Sequence, residues 1–105
     1  MLFESRSIIF SDEELAEALQ PLFEERGMDN VQQLLPGHDK AGEVRISVKE
    51  LDHDGDAVIT ASELAPVILR HCLDKKVPLP RNSYKELALR GDQLALIVRL
   101  ECGEA

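Results

Sequence analysis

Glu43-Val44-Arg45-Ile46-Ser47-Val48-Lys49-Glu50 is the stretch on which the fold turns. Apolar β-branched residues alternate strictly with polar ones, which places Val44, Ile46 and Val48 on one face of an extended strand. Working upstream, Pro36-Gly37-His38-Asp39-Lys40-Ala41-Gly42 reads as a loop, and Met28 to Leu35 as a short helical turn carrying Val31, Leu34 and Leu35. Before it, Leu15, Leu19, Leu22 and Phe23 recur at helical spacing, and Gly27 is a natural stop. Ser11 is placed to cap that helix, with Glu14 reaching back to complete a capping box. Pro21 lies inside the pattern and predicts a kink or an end near Gln20. A short strand, Arg6 to Phe10, leads into it.

Downstream of the deciding stretch, Val58-Ile59 runs into Thr60-Ala61-Ser62-Glu63, a second capping box. It opens a helix through Leu64, Val67, Ile68, Cys72 and Leu73. Val77-Pro78-Leu79-Pro80 must be extended. Leu87 and Leu89, the Gly91-Asp92 turn, and Leu94, Leu96, Val98 and Leu100 read as a hairpin whose outer face carries Ala95 and Ile97. A capped helix starting at Ser83-Tyr84-Lys85-Glu86 is the rival reading, because Leu87-Ala88-Leu89 also has good helix propensity. The expectation is a single α+β domain spanning residues 1–105. Its antiparallel sheet has four to five strands near 6–10, 43–50, 57–60, 85–90 and 93–100, with helices near 12–26 and 61–75 on one face. An echo supports this. Residues 9–16 and 58–65 share an apolar pair, a hydroxyl cap and Glu-Leu-Ala at identical offsets.

One motif points elsewhere. Asp52, Asp54 and Asp56, followed by Val58, Thr60 and Glu63, resemble the twelve-residue calcium loop of the EF-hand family over residues 52–64. That resemblance implies Ca²⁺ held by three aspartates, the Val58 carbonyl, a Thr60 contact and a bidentate Glu63, within an all-α fold. Val44, Val48 and Leu51 also fall at the spacing of an entering helix. The sequence departs from the family at Ala57, where the family has its turn glycine. Capping accounts independently for Thr60 and Glu63, and the aspartates flank Gly55 where a hairpin would turn. No cofactor is therefore expected, with Ca²⁺ at residues 52–63 as the alternative.

Charge narrows the function classes. The net charge of −8 disfavours nucleic acid, since twelve Lys and Arg stand among twenty Asp and Glu. Its distribution is polar along the chain: residues 1–69 hold five basic and fifteen acidic side chains, and residues 70–90 hold six basic against two acidic. Such asymmetry lets two copies meet head to tail. There is no apolar run long enough for a membrane helix, and the N-terminal MLFESRSIIF lacks a basic leader, so a cytoplasmic chain with no membrane partner is expected. Cys72 and Cys102 suit idle thiols better than a disulfide, and His71 beside Cys72 points about 100° away from it, leaving a core cysteine beside exposed histidines. Ser11, Thr60 and Ser83 stand where helix caps belong, without a nucleophile elbow or phosphate cradle. The sequence thus points to a non-enzymatic protein-interaction or self-association module, with calcium binding as the alternative.

Overall fold

The computed structural model describes residues 2–51 and 55–102, with side chains for residues 3–51 and 55–100. The elements run β1 (Leu2–Ile9), α1 (Asp12–Arg26), β2 (Val31–His38), β3 (Val44–Glu50), β4 (Ala57–Ile59), α2 (Ala61–Asp74), β5 (Tyr84–Arg90) and β6 (Gln93–Cys102). The deciding stretch is β3, with Val44, Ile46 and Val48 buried. The fold is α+β, and the all-α alternative falls because the segment entering the acidic loop is a strand.

Both helices start and stop as their sequences dictate. The Ser11 hydroxyl accepts from the Glu14 N–H at 3.1 Å, three acids occupy the first turn of α1, and Gly27 ends it at φ 68° in the left-handed region. Pro21 does not break α1. It faces solvent, so the carbonyl its ring leaves unpaired can be hydrated. At α2 the Glu63 carboxylate accepts from the Thr60 N–H at 3.0 Å, completing the box. Glu14 does not follow suit, since its carboxylate is drawn to His71 on the other helix.

Pairing is where the fold exceeds the sequence reading. Instead of one sheet there are two three-stranded antiparallel sheets, ordered β1-β6-β5 and β2-β3-β4. Each helix is preceded by a strand that pairs with the hairpin following the other helix: β1 joins β6, and β4 joins β3. The two sheets approach each other through β3 and β5, which lie close without pairing, so the strands do not merge into one sheet. Equivalent positions recur forty-nine residues apart: Leu15 with Leu64, Leu19 with Ile68, and Phe23 with Cys72, all buried in one cluster. Val44, Ile46 and Val48 of β3 and Leu94, Leu96 and Val98 of β6 line that cluster from the two sheets. Burial of each such side chain contributes about 1.5–3 kcal/mol.

Three further expectations are corrected. Residues 31–38 form β2 rather than a helical turn and loop, because Leu34 pairs with Val48 and helps cover the apolar face of β3. Pro36 is tolerated there because β2 is an edge strand. Ala95 and Ile97 are not an exposed outer face: β6 is central to its sheet, and both are buried, at 0% and 2% exposure. His71 is buried as well, with its ring 6.1 Å from that of Phe10.

Candidate functional site

Of the residues predicted to hold calcium, Asp52 and Asp54 lie outside the described residues, as does His53. Asp56 is exposed ahead of β4, and Val58 pairs with Ser47 of β3. Thr60 and Glu63 do meet, with the Thr60 hydroxyl donating to Glu63 Oε1 at 3.0 Å. The other Glu63 oxygen pairs with Arg26 from the C-terminal turn of α1. Capping and an inter-helix ion pair thus already engage this carboxylate. Gly55, at φ 84°, takes the left-handed turn conformation that a Cβ disfavours.

A second cluster lies at the opposite end of the antiparallel helix pair. His71 Nε2–H donates to Glu14 Oε2 at 2.5 Å, and Lys75 Nζ stands 2.6 Å from Glu17 Oε2. The hydrogen bond from Lys75 holds the Glu17 carboxyl below its ordinary value, and the same contact raises the Lys75 ammonium. Burial pushes the neighbouring Cys72 thiol up. Glu14, Glu17 and His71 could offer ligand atoms within 4.8 Å of one another. However, Lys75 and the His71 N–H already engage these carboxylates, and Arg26 with Glu63 makes the corresponding contact at the other end of the seam. The cluster reads as helix pairing rather than as a metal centre.

Hydroxyls are similarly committed. Ser11 and Thr60 cap helices, and Ser83 Oγ donates to the Pro80 carbonyl at 2.6 Å. Lys85 Nζ braces the same turn, donating to the Pro80 carbonyl at 3.1 Å and to the Ser83 carbonyl at 3.2 Å.

The third feature is the far end of the β1-β6-β5 sheet. There, β1 remains paired to β6 while Phe3, Glu4, Ser5, Arg6 and Ser7 are all exposed, on both faces of the strand. Phe3 is 74% exposed, Tyr84 61% and Ile9 51%. In register, Ser5, Arg99 and Tyr84 form a row across the sheet, with the Arg99 guanidinium 5.9 Å from the Tyr84 ring and 2.7 Å from Glu86. The molecule measures 58 × 30 × 20 Å with a radius of gyration of 15.1 Å. A compact chain of this length would have a radius near 13 Å, roughly. The strand pair therefore projects beyond the core.

Family models, curated proteins and solved structures give no match to this chain. The functional reading rests on the chain's own geometry.

Sequence reasoning missed most of this projecting end. The sequence reading starts the strand at Arg6, and Phe3-Glu4-Ser5-Arg6-Ser7, with one apolar residue in five, carries no period-two signal that would extend it. It also missed Glu14 with His71, whose partnership spans 57 residues and leaves no local signal.

Proposed function

We propose that this chain is a non-enzymatic module that works by binding protein, foremost a second copy of itself. One observation carries the reading: five consecutive β1 residues stay extended and paired on one edge only, with both faces of the strand in solvent and Phe3 and Tyr84 exposed. An exposed edge strand is a template for another strand, and proteins that stay monomeric shorten, cover or cap such edges. Here β1 runs eight residues, Leu2–Ile9. Sedimentation equilibrium over a concentration series tests the reading. A reversible dimer weakened by Phe3→Ser or Tyr84→Ser is expected, whereas a protein that stays monomeric into the millimolar range at any salt would exclude self-association.

Calcium remains a second reading, for the reason that Thr60 and Glu63 do present adjacent oxygens after the Gly55 turn. Calorimetric titration with Ca²⁺, compared with Glu63→Gln, decides it. Absence of heat at millimolar ion removes calcium, and heat that the Glu63→Gln variant abolishes supports it.

A further inference from the structure

We infer that two copies join edge to edge through β1, antiparallel and centred on Ser5, giving one continuous six-stranded sheet; this rests on the self-association reading above. The backbone fixes which residues can take part. Phe10 N–H donates to the Leu94 carbonyl at 2.9 Å, and Phe10 stands opposite Leu94 by continuation of the β1–β6 register. In an antiparallel pair the hydrogen-bonded positions alternate, so Ile8, Arg6 and Glu4 direct their N–H and C=O groups to β6. Phe3, Ser5, Ser7 and Ile9 therefore turn theirs outward, along the open edge of the sheet. A symmetric partner must pair outward-facing residues with outward-facing ones. That requirement leaves registers centred on a residue, and those centred on Glu4, Ser5 or Arg6 keep most of the exposed residues 3–7 paired.

Charge selects among them. Centring on Glu4 sets that carboxylate against its own copy, and centring on Arg6 sets two guanidinium groups opposite each other. Both arrangements are repulsive. Centring on Ser5 places Glu4 of each chain opposite Arg6 of the other, twice by symmetry, and sets Phe3 opposite Ser7. Glu4 and Arg6 lie on the same face of β1, so the opposed side chains share one side of the joined sheet. Arg6 also donates to the Pro78 carbonyl, and a guanidinium has donors to spare for the second contact.

The test is a charge-exchange series on the full chain, read by sedimentation equilibrium, with Glu4→Arg, Arg6→Glu and the double variant. All the changes are at exposed positions. Each single change should raise the dimer Kd about tenfold, and the double change should restore it. Amide exchange adds an independent reading: protection at Phe3, Ser5 and Ser7 should grow with protein concentration while Glu4, Arg6 and Ile8 stay protected throughout. A dimer indifferent to both charges, with no concentration-dependent protection in β1, overturns this interface but leaves self-association standing. A wild-type chain that never dimerises overturns both.

Discussion

Glu14 and Glu63 hold the same place, three residues after a hydroxyl cap, yet do different work. Glu63 turns back on its own helix start while also meeting Arg26, whereas Glu14 crosses to accept the hydrogen bond of buried His71. A buried imidazole N–H without an acceptor costs about 1–3 kcal/mol. Glu14→Ala should therefore destabilise the fold by roughly that amount in urea unfolding. Glu13→Ala, one residue away and exposed, should change stability by less than about 0.5 kcal/mol. Equal effects would show that the His71 contact contributes nothing beyond loss of charge at the helix start. The echo made the two glutamates look alike in sequence. What separates them is which residue of the opposite helix lies within reach, and that is a property of the packed pair.

At the scale of the elements, the seam between α1 and α2 carries a pH dependence whose sign follows from Glu17 and Lys75. The Glu17 carboxyl is lowered in the folded chain from a reference near 4.5, so its contribution is complete above that value and fades as acid titrates it. The Lys75 ammonium is raised from a reference near 10.5, so its share is complete below that value and is lost as pH climbs through the folded-state value. Glu17→Gln should accordingly lower the thermal midpoint near pH 7, by a small amount because both groups are exposed and screened, and converge with the parent in acid, so that the decline below about pH 5 is flatter. An unaltered acid limb in that variant would assign the acid sensitivity to other carboxylates. Helices with paired caps and the period-two strand at Val44–Glu50 were legible in sequence because each signal is complete within eight or so residues. β2 was not, since Gln32-Gln33 and Pro36-Gly37 read locally as polar turn and only pairing with β3 makes that segment extended. The projecting end of β1 was not legible, since Phe3-Glu4-Ser5-Arg6-Ser7 has no apolar alternation and is extended only through its pairing with β6.

For the whole molecule, the crossed pairing of strands makes each half structurally incomplete. Residues 1–50 contain β1, α1, β2 and β3, and residues 51–105 contain β4, α2, β5 and β6. However, among the described residues β1 pairs with β6 alone and β4 with β3 alone. The contacts of the helix seam, the Glu14–His71 hydrogen bond and the Arg26–Glu63 ion pair, also join one half to the other. A half chain alone would leave a strand unpaired and one side of its helix uncovered, and a piece of about 50 residues has little core to spare. Expressed separately, fragments 1–50 and 51–105 should show no cooperative thermal transition by circular dichroism at micromolar concentration. Mixed in equal amounts, they should recover one transition, with a midpoint that rises with concentration as expected of a bimolecular complex. If fragment 1–50 instead melted cooperatively as a monomer, the strand exchange between halves would not be what holds the fold together. Recovery in the mixture would mean that the link through residues 51–55 mainly raises the effective concentration of two mutually dependent halves.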